Sequence, residues 1–146
     1  MDEMIGYCGY NCGLCAARSD DPAVRQKLVD GWRRIFGHQH YTAENVRCDG
    51  CRGDGRIADQ QCKARPCARE KKMTSCAQCA EFACDKVRNL LCSREGLLIF
   101  LRTVMKDVTE EEYELCVRQF ESMPNLIKVM VKEGKLPAWI DRKKKY

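Results

Sequence analysis

Cys48-Asp49-Gly50-Cys51-Arg52-Gly53-Asp54-Gly55 is the stretch whose reading decides how this chain folds. Two sulfurs two residues apart, flanked by glycines that permit a tight turn, have the form of a zinc knuckle. In such a turn both thiolates aim at one ion while backbone amides point at the sulfurs. The aspartates invite a calcium reading, but the twelfth-position glutamate of an EF-hand is missing. The same C-x-x-C spacing stands at Cys12/Cys15 and at Cys76/Cys79. Three such pairs in one short chain make a strong signal where one would be weak.

Working outward, ten of the 12 cysteines in 146 residues lie between Cys8 and Cys84: Cys8, Cys12, Cys15, Cys48, Cys51, Cys62, Cys67, Cys76, Cys79 and Cys84. That density excludes an ordinary enzyme with a few buried thiols. The sulfurs bond each other or a metal. The start, Met1 to Cys8, is acidic and lacks the apolar segment of a secretory signal. We therefore expect a reducing, cytoplasmic setting, where structural disulfides are rare and metal is the natural partner. Charged residues are 32% and hydrophobic residues 45%, which excludes a disordered chain. No apolar run approaches a membrane span.

The rest of the chain reads as helices. Ser19, Asp20 and Asp21 offer N-caps and Pro22 a first turn to a segment in which Val24, Leu28, Trp32 and Ile35 form an apolar stripe, and Gly37 stops it. Trp32 and Phe36 are core residues on this pattern. His38 and His40 follow in a connector and read as loop histidines, because cysteine is abundant enough to fill the sites. A short basic helical stretch is expected over Ala68–Lys72, and another helix opening at Cys84 and carrying Val87, Leu90 and Leu91.

After residue 92 only Cys116 remains and the pattern is plainly helical. Leu97, Leu98, Leu101, Val104 and Met105 fit a well-buried helix capped by Ser93. Thr109-Glu110-Glu111-Glu112 is a capping box. Tyr113, Cys116, Val117 and Phe120 then repeat at helical spacing. A last helix is expected from Pro124 to Gly134. Cys92 and Cys116 read as core thiols. The tail Arg142–Lys145 is a solvated, frayed end. The expected fold is mainly α with little or no sheet. A metal-stapled domain over 4–92 carries the knuckle loops, a helical extension over 93–140 packs on it, and 141–146 is a basic tail.

Tetrahedral zinc in closed four-thiolate sites is the most economical assignment, with two or more ions. Iron–sulfur is the alternative, because Cys8-x3-Cys12-x2-Cys15 has the spacing by which radical S-adenosylmethionine enzymes hold a cluster. The large α/β barrel of those enzymes has no counterpart here, and the ferredoxin run is absent. Chain order suggests one site from Cys12, Cys15, Cys48 and Cys51 and a second from Cys62, Cys67, Cys76 and Cys79, with Cys8 and Cys84 left over. Interleaved sets are equally open geometrically. Residues 38–84 are too polar and loop-rich to build a core, so metal must supply most of their folding energy.

Taken in order, Tyr7-Cys8-Gly9-x-x-Cys12-x-x-Cys15, Cys48-Asp49-Gly50-Cys51-Arg52, Cys67-Ala68-x-Glu70-Lys71 and Cys76-x-x-Cys79-x-x-Phe82-x-Cys84 resemble a cysteine-rich family of bacteria and archaea, a domain of unknown function regarded as metal-binding. The resemblance spans about residues 4–91. It implies a prokaryotic cytosolic metal-binding domain and brings no reaction. Ala16 and Ala83 stand where members often carry proline, and the helical C-terminal third is less typical of the family.

No catalytic constellation appears. There is no H-E-x-x-H, G-x-S-x-G or P-loop, and two histidines supply little for an open zinc site. The reading is therefore a binding module with a protein partner. Nucleic acid is a weaker expectation, although the formal charge is +5. Eight thiolates offset by two dications would bring that charge down to about +1. The charge is also spread evenly, with 13 basic and 11 acidic side chains in residues 1–84 and 13 and 10 in the remainder. The basic residues Arg47, Arg52, Arg56, Lys63, Arg65, Arg69, Lys71 and Lys72 near the second cluster are read as offsetting the negative sulfur sites.

Overall fold

The computed structural model describes residues 4–141 and 143–146. Met1–Glu3 of the acidic start and Arg142 of the basic tail lie outside the described residues. The chain is mainly helical. Among the described residues the sheet content is a single antiparallel bridge between Ile5 and Asn11.

Helix α1, Pro22–Phe36, has the expected ends. Asp21 accepts a hydrogen bond from the Ala23 amide at 2.9 Å, Pro22 fills the first turn, and Gly37 takes the left-handed conformation at φ 72°. Its stripe of Leu28, Val29, Trp32 and Ile35 is buried. Helix α2, Ala64–Glu70, begins earlier than the expected Ala68–Lys72. Pro66 is tolerated because the amides of a first turn lack helical partners anyway. The chain leaves the helix where Lys72 turns left-handed.

No regular helix starts at Cys84; only a 3-10 turn forms at Arg88–Leu90. The polar groups of residues 90–92 are bonded across the molecule instead. Ser122 Oγ donates to the Leu90 carbonyl at 2.7 Å and accepts from the Cys92 amide at 2.9 Å. The Met123 amide donates to the Cys92 carbonyl at 3.0 Å.

Helix α3, Arg94–Thr103, is capped by Ser93 as expected. Its burial is narrower than the apolar pattern implied. Leu97 and Leu101 are buried, but Leu98, Ile99, Phe100 and Val104 are exposed and Met105 is 89% exposed. With only ten residues, the helix presents one narrow stripe to the core. Met105 lies beyond its end in a left-handed conformation.

Helix α4, Glu110–Cys116, opens on the complete Thr109/Glu112 capping box. The apolar repeat runs on through Val117 to Phe120, yet the helix stops at Cys116 and a 3-10 turn follows. The cause is local. The Cys116 carbonyl accepts from Trp32 Nε1 at 2.9 Å and from Gln119 Nε2 at 3.2 Å. The Phe120 amide then bonds Val117 rather than the carbonyl four residues back. Helix α5, Met123–Lys132, buries Met123, Leu126 and Met130.

Three apolar clusters follow. The largest joins α1, α3 and α4 through Leu28, Val29, Trp32, Ile35, Leu97, Leu101, Tyr113 and Val117. A small one, Tyr7, Ala64, Ala68, Cys76 and Val87, sits among the cysteine loops. A third joins Ala77 to α5 and Ile140. The C-terminal helices thus share cores with the cysteine-rich part. Gly9 sets one of these contacts. At φ 94° it lies where a Cβ would be 2.7 Å from Leu126 Cγ and 2.8 Å from the Ser122 carbonyl. Asn125 Nδ2 donates to the Gly9 carbonyl at 2.9 Å, so α5 is clamped onto the first cysteine loop.

Candidate metal centre

All twelve cysteines are free thiols. The fold gathers the ten clustered ones into three groups that differ from chain order.

The first group is Cys67, Cys76, Cys79 and Cys84, which line one small cavity floored by Ala64, Ala68 and Val87. Cys67 comes from α2. Cys76 and Cys79 come from one 3-10 turn, which Ser75 caps by accepting from the Ala77 amide. Cys84 comes from the following loop. Cys79 Sγ accepts from the Glu81 amide at 3.4 Å and lies 3.6 Å from Lys71 Nζ. The sulfur Cys79 raises the proton affinity of Lys71, so the ammonium is the preferred neighbour of this group. Cys76 is pushed up to about 11, first by burial and then by Cys84, Cys67, Cys79 and Cys62.

A second set of sulfurs, Cys8, Cys12, Cys51 and Cys62, lies on loops that hydrogen bonds tie to one another. The Cys76 amide donates to the Tyr7 carbonyl at 2.8 Å, seating the first loop against the Cys76 turn. Arg65 and Arg69, one turn apart on α2, hold the second. Arg65 Nε donates to the Cys51 carbonyl at 2.9 Å, and Arg69 pairs with Asp54 at 2.9 Å. Arg52 Nε donates to the Ile5 carbonyl at 2.8 Å, and its guanidinium lies over the Tyr7 ring. Several of the basic side chains around this cluster thus tie its loops together.

Cys12 and Cys51 are neighbouring sulfurs beside Gly6, and of the two Cys51 is the one whose thiol is held down. Its proton affinity is lowered by Cys12 first, and also by the Tyr7 amide, Arg52 and Arg65. Cys12 correspondingly keeps its proton. Gly6 makes this approach feasible, since a Cβ there would lie 3.0 Å from Cys51 Sγ and 3.5 Å from Cys12 Sγ. Burial first, and then Cys51, Cys62 and Cys76, push Cys8 up to about 12, with the Tyr10 amide opposing the rise.

The third group is a pair. The Cys48 amide donates to the Ala17 carbonyl at 3.0 Å, two residues from Cys15, and both cysteines pack against the large core. Burial pushes Cys15 up to about 11, with Cys48 adding to the rise. Cys84, left over on chain order, therefore belongs to a quartet. Cys8 stands with Cys51 and Cys62, while Cys15 and Cys48 stand apart.

Among the described residues, no three His, Cys, Asp or Glu donors converge closely enough to hold one ion as they stand. An all-sulfur donor set is of the kind that suits a thiolate-bound ion. His38 and His40 lie in a stack of rings with Phe36 and Tyr41, where burial and then His40 lower the proton affinity of His38. Cys116 is buried under α1 at 1% exposure, and Cys92 is half-buried against the same core.

Sequence reasoning missed the particular anchoring roles of Arg65 and Arg69, although their four-residue spacing was a readable signal. Gly6 was legible as one of the glycines interleaved with the first cysteine cluster, but not as the residue on which the Cys12 and Cys51 sulfurs close.

Fold and site together define a small, mainly helical domain whose loops and α2 carry ten thiols between Cys8 and Cys84. Residues 4–89 match a family described as protein of unknown function (DUF3795), and the chain belongs to that family. No curated protein and no solved structure matches it. Among the described residues no helix is long and apolar enough to cross a membrane.

Proposed function

We propose that this protein is a structural zinc-binding module of the prokaryotic cytoplasm that works by engaging a protein partner. The observation that carries the reading is the common cavity of Cys67, Cys76, Cys79 and Cys84, with an amide and an ammonium already directed at Cys79. Zinc favours closed tetrahedral sites of this composition, and four thiolates leave no position for a reactive water. The small cluster of Tyr7, Ala64, Ala68, Cys76 and Val87 is too slight to order the loops by burial alone, so the ion supplies that energy. Zinc is preferred over an iron–sulfur cluster because Cys15 pairs with Cys48 instead of joining Cys8 and Cys12.

The test is elemental analysis and an absorption spectrum of protein purified without oxygen. A colourless sample with at least one zinc per chain supports the reading. A brown sample containing iron and sulfide, or less than one zinc per chain, overturns it. For nucleic acid, a shift assay with nonspecific DNA at low salt is expected to show no binding.

A further inference from the structure

We infer that two copies of this chain pair through the outer face of α3, antiparallel about a two-fold axis that passes between Leu98 and Ile99. The inference goes beyond the zinc reading. It uses no sulfur and stands whether or not the cysteine loops hold an ion.

The residues of α3 carry it first. Helix side chains at i, i+3, i+4 and i+7 share one face. Leu97 and Leu101 are spent on the large core. Glu95, Leu98, Ile99 and Arg102 stand at that spacing on the outer face, and all four are exposed. The solvent side of a surface helix is ordinarily polar throughout. Here it carries two branched apolar side chains, Leu98 37% and Ile99 47% exposed. Phe100, Val104 and Met105 are exposed in the same segment. Of the seven large apolar side chains exposed among the described residues, five therefore fall within residues 98–105. Scattered exposed hydrophobics need no explanation, whereas a concentration in one segment marks an interaction surface.

The charges then select the occupant. Glu95 stands three residues before Leu98, and Arg102 three residues after Ile99. Two such helices laid antiparallel set Glu95 of each copy against Arg102 of the other, at both ends of a Leu98/Ile99 contact. Parallel helices would set Glu95 on Glu95 and Arg102 on Arg102. A face that complements itself in this way is what an isologous two-fold contact requires. The helix dipoles add to the preference, since each N-terminus then lies beside the other copy's C-terminus. Within one chain Glu95 meets Lys144 at 3.6 Å, but both side chains are exposed, so water screens the pair and an arginine can replace it. A contact built on one ten-residue helix lies at the small end of specific interfaces, so the dimer is weak and micromolar.

Sedimentation velocity of the full chain, from about 5 µM to about 1 mM, tests the pairing. The wild type is expected to pass from monomer to dimer across that range, at a midpoint that rises with salt. Leu98→Gln/Ile99→Gln is expected to raise the midpoint by at least about tenfold. Glu95→Arg and Arg102→Glu each set like charges together at both ends, and each alone is expected to do the same. Mixed in equal amounts, these two variants set opposite charges together at both ends. The mixture is expected to form a heterodimer with a midpoint within about threefold of the wild type. Circular dichroism establishes that each variant is folded, and recovery in the mixture cannot come from a change in stability. A wild type that stays monomeric at about 1 mM overturns the inference, as does a dimer that Leu98→Gln/Ile99→Gln leaves unchanged. A mixture that recovers nothing overturns the antiparallel register. A different protein seated on this face of a monomeric chain overturns the choice of occupant. None of these outcomes alters the zinc content, so the zinc reading stands or falls separately.

Discussion

Gly31 and Gly9 carry more of this fold than their size suggests. Gly31 lies inside α1, where alanine ordinarily stabilises a helix by about 1 kcal/mol. A Cβ at that position would sit 2.3 Å from Cys116 Sγ. Gly31→Ala is therefore expected to destabilise the protein by about 1–3 kcal/mol through overpacking. Gly31→Ala with Cys116→Ala should recover part of that loss, because the clashing sulfur is gone. Urea unfolding of the two single variants and the double variant measures the coupling. Gly9→Ala faces backbone strain at φ 94° as well as collision with Leu126 and the Ser122 carbonyl. We expect a loss of about 2–4 kcal/mol, read as a lower urea midpoint. The glycine of a tight cysteine loop is legible as a residue needing a turn. The helix pressed against it from more than a hundred positions away is not.

Helix ends were the most legible elements, because a cap is a local hydrogen bond between neighbours in sequence. Asp21, Ser93 and Thr109 all cap as their patterns imply. Thr109→Ala should cost about 1 kcal/mol in thermal or urea unfolding. Glu112 serves the same cap and also meets Arg34 at 2.6 Å. The Thr109 amide first, and Arg34 as well, hold its carboxyl below the usual 4.5. A lowered folded value means that its contribution is present above pH 4.5 and fades as pH falls through the lower folded value. Glu112→Gln is expected to flatten that limb of the stability–pH curve, and an unchanged slope would count against the contact. Where elements departed from the pattern, long-range bonds were the cause. Trp32 and Gln119 occupy the Cys116 carbonyl and stop α4, and Ser122 takes up the polar groups that a helix after Cys84 would have used.

At the scale of the molecule, the large cluster of α1, α3 and α4 is built from ordinary apolar side chains, whereas the loops between residues 48 and 91 rest on a small one. Stripping metal with a strong chelator under reducing conditions should therefore act unevenly. Hydrogen exchange is expected to accelerate over residues 48–91 while the α1 and α4 amides stay protected. Uniform acceleration would mean that the sulfur sites also support the helical core. The mainly helical class, the cap residues and the cysteine-rich loops were all determined by the sequence itself, since each is a property of neighbours or of regular spacing. The grouping of the sulfurs was decided by tertiary structure alone. Chain order suggests one set of Cys12, Cys15, Cys48 and Cys51 and another of Cys62, Cys67, Cys76 and Cys79. In the fold the Cys12 and Cys51 sulfurs are neighbours beside Gly6, and Cys84 lines the same cavity as Cys67, Cys76 and Cys79. Spacing governs how two sulfurs on one turn are presented. Which turns meet depends on distant amides, guanidinium groups and a glycine without a side chain, which bring the loops together in space.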